Sequence, residues 1–102
     1  LKRVMVNLLD NAIQAMQQKG KVWLSTKYDT KRRRAVVSVA DEGPGIALED
    51  REKLFEPYFT RKKTGTGLGL AIVRRIITDH EGQIQAGQNQ PKGAVFTFEL
   101  PV

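Results

Sequence analysis

The sequence predicts one domain of mixed helix and strand, and three observations carry that reading. Apolar residues recur at helical spacing over residues 1–18 and again over 68–77. Four shorter runs rich in β-branched and aromatic residues, 21–28, 34–40, 83–87 and 94–100, read as strands in two consecutive pairs. At 102 residues, with 40% hydrophobic and 27% charged residues, the chain has the size and composition of a single soluble globular domain.

Taken in order, the first helix runs from Leu1 to about Gln18. Val4, Leu8, Ala12 and Met16, flanked by Met5, Leu9 and Ile13, form a broad apolar stripe. Asn7, Asn11 and Gln14 fall at i, i+4 and i+7, which stacks them on one face. Asparagine is a poor helix former, so two of them one turn apart mark a site rather than a solvated face. An Asn amide oxygen is a hard ligand suited to magnesium. Gly20 is read as the helix stop. The strands 21–28 and 34–40 then flank a hairpin loop whose basic run, Lys31-Arg32-Arg33-Arg34, lacks interleaved aromatic residues. It reads as a solvated tip, not a nucleic-acid contact.

Asp41-Glu42-Gly43-Pro44-Gly45-Ile46 follows a strand end directly. Two glycines around a proline make a tight turn, Asp41 offers an acceptor for an amine, and Ile46 offers an apolar surface to a flat ring. A short helix is expected over Ala47–Leu54, with Glu49, Asp50 and Glu52 near its start. Leu54-Phe55-Glu56-Pro57-Tyr58-Phe59 reads as an aromatic anchor, and Thr60-Arg61-Lys62-Lys63-Thr64 as a short basic segment placed to close over phosphates. Gly65-Thr66-Gly67-Leu68-Gly69-Leu70 opens the second long helix. Its glycines let the backbone approach an anion at a helix start, where unpaired N–H groups and the helix dipole favour negative charge. His80-Glu81-Gly82 ends that helix, with His80, the only histidine, as a capping residue.

Composition narrows the function further. The net charge of +6, from 17 basic and 11 acidic residues, suits an anionic ligand or partner. No apolar run approaches the ~20 residues that span a bilayer, so no direct membrane contact is expected. The lack of cysteine excludes a disulfide framework and a cysteine-based zinc site, and fits a cytoplasmic location.

In this order the stretches resemble the ATP-binding domain of sensor histidine kinases, within the superfamily shared with gyrase, a chaperone class and mismatch-repair ATPases. Asn7–Ala12 is similar to that family's N box, Asp41–Ile46 to its first glycine box, Leu54–Phe59 to its F box and Gly65–Val73 to its second glycine box. Gln14-Ala15-Met16, the short lid and the closing 93–101 stretch look most like nitrogen-regulation-type sensor kinases. The resemblance implies a two-layer α/β sandwich: a mostly antiparallel sheet with helices on one face, lacking the strand and part of a helix with which the family's domain usually begins. It implies Mg2+ and ATP as cofactors, with Asn11 on the metal, Asp41 on the adenine amine and Ile46 against the ring. Gly43 and Gly45 would give the base room, and Gly65, Thr66, Gly67, Leu68, Gly69 and Leu70 would cradle phosphates. Gln14, Tyr58 and Thr60 would complete the nucleotide site, and Arg61, Lys62 and Lys63 would neutralise charge on the phosphoryl group in transfer, beside Asn7. The implied partners are a histidine-bearing dimerisation domain of the parent kinase and a response regulator. Self-association is expected through apolar surface that the lacking strand leaves open on the first helix's side.

The departures from the pattern also bear on function. Gln14 stands where many members carry a basic residue, and Ala94 where a hydroxyl residue often follows the final glycine. ATP hydrolases of the superfamily carry a glutamate general base at the position of Asn7, and an amide cannot take a proton from water, which favours a kinase. A non-catalytic nucleotide-binding module is the remaining alternative.

Overall fold

Alternation along two strands sets the layer structure. In the computed structural model, which describes residues 1–17, 19–59 and 69–102, strand β2 (Arg34–Asp41) buries Val39 and Asp41, and strand β4 (Ala94–Pro101) buries Ala94, Phe96 and Phe98. Residues two apart share a sheet face, so Val39, Ala94, Phe96 and Phe98 form one apolar surface with Asp41 at its end, Val39 standing opposite Phe96 and Val37 opposite Phe98. Strand β1 (Val22–Asp29) pairs with the outer side of β2, and strand β3 (Gln83–Gln88) with β4. The order is β1-β2-β4-β3, antiparallel throughout. This agrees with the two-layer α+β sandwich that the family resemblance implies.

Helix α1 (Lys2–Ala15) buries Val4, Leu8 and Ala12, and helix α2 (Gly69–Asp79) buries Val73 and Ile77, all in one cluster with the sheet's apolar face. Both helices therefore lie on the same side of the sheet. Phe55 closes the end of this core. Its ring meets Phe96 edge-on at 6.2 Å and 89°, and the Arg74 guanidinium lies 5.5 Å above it. Of the aromatic anchor, Phe55 is thus a buried plug, whereas Tyr58 is exposed.

Several boundaries differ from the sequence expectation. The first helix ends at Ala15, short of Gly20, because Met16 caps it and Gln17 takes the left-handed step at φ +54°. In place of one helix over 47–54 there are two single 3-10 turns, Leu48–Asp50 and Lys53–Phe55. A stretch this short, set between Pro44 and Pro57, cannot offset the cost of helix nucleation. The basic hairpin tip is partly neutralised from within. Arg32 forks onto Glu99 through two bonds of 3.0 and 2.5 Å, and Arg34 donates to the Glu81 carbonyl at 3.0 Å. The Glu99 carboxylate holds the Arg32 guanidinium above its ordinary value, first through the hydrogen bond and then through its charge.

The end of α2 follows the expected signal. His80 Nδ1 lies 2.8 Å from the Ile76 carbonyl, as a cap should. The left-handed residue is Glu81, at φ +63°, and Gly82 N–H returns to the Ile77 carbonyl at 2.9 Å. Gly82 is required for a different reason: a Cβ there would lie 2.2 Å from the Glu99 carbonyl oxygen. Glu81→Gly removes the left-handed strain of an L-residue, so it is expected to raise stability by about 0.5–1 kcal/mol in a denaturant melt.

Among the described residues no helix is long and apolar enough to cross a membrane. β1 is an edge strand, and Trp23, Leu24 and Tyr28 on it stand about half exposed, as do Val6 and Ile13 on α1.

Candidate functional site

The site is built around a buried acid. Asp41 ends β2, and only 2% of its surface is exposed. Its Oδ1 accepts from Gly43 N–H at 2.8 Å and from Ala94 N–H at 3.2 Å. A carboxylate held by two backbone donors has its rotamer set by the fold, and the turn 41–46 is folded about it.

The closing hairpin supports that turn from the other side. Asn89 Nδ2 donates to the Asp41 carbonyl at 2.9 Å, and Gln88 Oε1 accepts from Ile46 N–H at 2.9 Å. Gly93, at φ +105°, packs so close that a Cβ on it would lie 1.8 Å from the Asp41 carbonyl oxygen. On the near side Glu42 reaches back, its Oε1 accepting from Lys21 N–H at 2.7 Å. The glycines of the turn are explained first by the chain itself. A Cβ at Gly43 would sit 3.1 Å from the Ala15 Cβ, and one at Gly45, where φ is +84°, would sit 2.6 Å from Gln88 Oε1. Gln88 and Asn89 were not singled out in the sequence, since an amide in a polar loop carries no periodic signal.

Helix α1 connects this turn to the start of α2. Asn7 Nδ2 donates to the Gly69 carbonyl at 3.3 Å, whereas Ala15 packs against Gly43. Residues four apart stack on one face, so Asn7, Asn11 and Ala15 form a ridge about 12 Å long. Asn11 sits midway along it, half-buried, and Gln14 lies beside it, exposed. At the α2 end Leu70 packs on the core, while a Cβ built at Gly69 meets no described atom within 4 Å. Ile46 is half-buried against the core, and Tyr58 is exposed, with φ +67°. Thr60, Arg61, Lys62, Lys63, Gly65, Thr66, Gly67 and Leu68 lie outside the described residues. A cleft of about 410 Å³ opens beyond the end of α1, lined by Ala15, Met16, Glu42, Gly43 and Pro44; it adjoins the ridge at Ala15 and Gly43, and none of Asn7, Asn11 or Asp41 lines it.

The comparisons with known proteins agree with this fold. The family model described as histidine kinase-, DNA gyrase B- and HSP90-like ATPase matches residues 1–102. The chain belongs to this family. Among curated relatives it is 43% identical to the signal transduction histidine-protein kinase AtoS of Escherichia coli K12, over all of the chain and 17% of AtoS. The solved catalytic domain of the histidine kinase ThkA matches with a TM-score of 0.86 at 44% identity, over 98% of this chain and 64% of that one. Full-length ShkA in complex with AMPPNP matches at 35% identity with a TM-score of 0.84, over 97% of this chain and 20% of that one. ThkA has also been solved in complex with the response regulator protein TrrA. The chain spans about a fifth of the length of the first curated relatives it matches. Within the family it corresponds to the ATP-binding catalytic domain of two-component sensor histidine kinases.

Proposed function

We propose that the chain binds Mg-ATP along the α1 ridge and presents the γ-phosphoryl for transfer to a histidine on a separate dimerisation domain, from which a response regulator receives it. The ridge is the observation that carries this reading. It runs from the turn holding Asp41 to the start of α2 at Gly69, so a nucleotide laid along it has its base at one end and its phosphates at the other. Asp41 accepts from the adenine amine, and Ile46 gives the ring an apolar wall. Gly69, a helical glycine whose Cβ position meets no described atom within 4 Å, gives backbone access at the phosphate end. The amide oxygen of Asn11, midway between, is a hard donor of the kind magnesium takes alongside phosphate oxygens. Bound there, magnesium would neutralise phosphate charge. Phosphoryl transfer is mostly positioning and electrostatics, and the lid cations Arg61, Lys62 and Lys63 would serve the second. His80 is held by the Ile76 carbonyl, which supports a phosphoacceptor elsewhere.

Thermal melts with Mg-ATP, Mg-ADP and Mg-GTP test the binding. At a hundred times its dissociation constant, an adenine nucleotide adds ~2.7 kcal/mol, which raises the midpoint of a domain this size by roughly 10–20 °C. GTP is expected to do much less, because guanine presents a carbonyl where adenine has its amine. Equal stabilisation by GTP removes the role given to Asp41.

Transfer rather than hydrolysis rests on Asn7. Its amide donates to Gly69, and no carboxylate occupies its place. Asn7→Glu supplies a general base, which typically contributes ~10²–10⁴-fold to rate. The new carboxylate would also oppose the Gly69 carbonyl and the phosphates, so a gain near the low end is expected, together with weaker ATP binding. Steady-state phosphate release and calorimetry read the two effects. In parallel, Asn11→Ala is expected to abolish magnesium-dependent binding without raising hydrolysis.

A further inference from the structure

Gln88 and Asn89 lie more than forty residues from the turn 41–46 in sequence, yet they hold it at two backbone points. Gln88 Oε1 takes the Ile46 N–H at 2.9 Å, and Asn89 Nδ2 takes the Asp41 carbonyl at 2.9 Å. These two contacts bracket the turn: one at the residue read as the base acceptor, the other at the residue read as the ring's apolar wall. The Gln88 amide also lies flat against Gly45, with Oε1 and Nε2 at 2.6 and 3.2 Å from where a Cβ would stand. Asn89 is fixed in turn, since its N–H donates to the Gly93 carbonyl at 2.9 Å and its Oδ1 accepts from Gln90 N–H at 3.0 Å.

We infer that Gln88 and Asn89 are positioning residues for base discrimination, setting the separation between the Asp41 carboxylate and the Ile46 side chain. The inference rests on the nucleotide-binding reading above. Neither side chain belongs to the buried core: Gln88 is exposed and Asn89 half-buried. Losing either bond therefore loosens the turn without opening a cavity. A loosened turn lets the carboxylate follow the ligand, which weakens adenine binding and lowers the penalty for guanine. The two residues differ in the atom they use. Gln88 works through its oxygen, so Gln88→Glu keeps the bond and Gln88→Leu removes it. Asn89 works through its nitrogen, so Asn89→Asp keeps the Oδ1 contact to Gln90 and sets a carboxylate against the Asp41 carbonyl.

The test measures Mg-ATP and Mg-GTP affinities by calorimetry on the whole chain and on these variants, beside ligand-free melts. A neutral hydrogen bond contributes a factor of roughly three to ten. Gln88→Leu and Asn89→Asp are each expected to lower the ATP-to-GTP affinity ratio by about that factor, while Gln88→Glu stays within about twofold of the parent. If Gln88→Leu fails to fold, Gln88→Ser carries the same expectation with less bulk. Wild-type chain that binds ATP, with variants that keep its ATP-to-GTP ratio, overturns the positioning role alone. So does a proportional loss of both nucleotides, which is the mark of a merely structural contact. Wild-type chain that binds neither nucleotide overturns the parent reading, and this inference with it.

Discussion

Asp41→Ala is expected to lose both the nucleotide and much of the domain's stability. Its Oδ1 is the acceptor for two backbone donors, Gly43 N–H and Ala94 N–H, in a position almost sealed from water. Each donor left without a partner costs about 1–3 kcal/mol, so the loss is about 2–6 kcal/mol against a total that seldom exceeds ~15 kcal/mol. Adenine binding weakens as well, by roughly 1.5–3 kcal/mol for a charge-assisted bond. A single substitution would confound the two effects, and Asp41→Asn separates them. The amide keeps Oδ1 for the two backbone donors but turns an NH2 group toward the base amine. That variant is expected to melt near the parent and still lose ATP. If Asp41→Asn binds ATP as the parent does, the base lies elsewhere, whatever the alanine variant shows.

Gly93→Ala is the second large effect. The new Cβ would fall 1.8 Å from the Asp41 carbonyl oxygen and 2.7 Å from its carbon, both backbone atoms that cannot swing aside. The residue also sits at φ +105°, outside the range that L-residues adopt readily. Backbone strain and overpacking each cost about 1–3 kcal/mol, and here they act together on the turn that holds Asp41. A fall of about 3 kcal/mol or more in a denaturant melt is expected, with a parallel fall in ATP affinity. Gly87→Ala is the control in the same hairpin, because among the described residues its Cβ would meet only Val95 Cγ1, at an ordinary 3.6 Å. Equal losses in the two variants would mean that the hairpin, not its contact with Asp41, is what matters.

These residues also show what is legible in the sequence. The helices and strands could be read because their signals are periodic: Val4, Leu8 and Ala12 on α1, and Phe96 and Phe98 on β4, are buried as their spacing demands. Asp41 was legible because an acid beside two glycines breaks a strand for no packing reason visible in sequence. Gln88 and Asn89 were not, since what they do depends on a turn more than forty residues away. Gly82 could be read as part of a helix stop, but its crowding could not. A left-handed terminator and a residue crowded by a neighbouring carbonyl look identical as one letter, and the first role fell to Glu81. The short helix expected over 47–54 failed for a cooperative reason, as acidic residues near a start cannot offset the entropy of so few turns.

The edge position of β1 has a kinetic consequence. Its backbone is paired on one side only, with β2, and most of its residues are exposed. Among the described residues, none of the side-chain bonds that tie the Asp41–Ile46 turn to the rest of the fold comes from the body of that strand; they come from Met16 at the end of α1, from Lys21 before the strand, and from β3, β4 and their loop. Local opening is cheapest where burial is least. β1 can therefore fray and exchange its amide hydrogens with water while β2 and β4 stay paired, so the sheet divides into a labile margin and a slow-exchanging centre, with the acid at the end of the slow part.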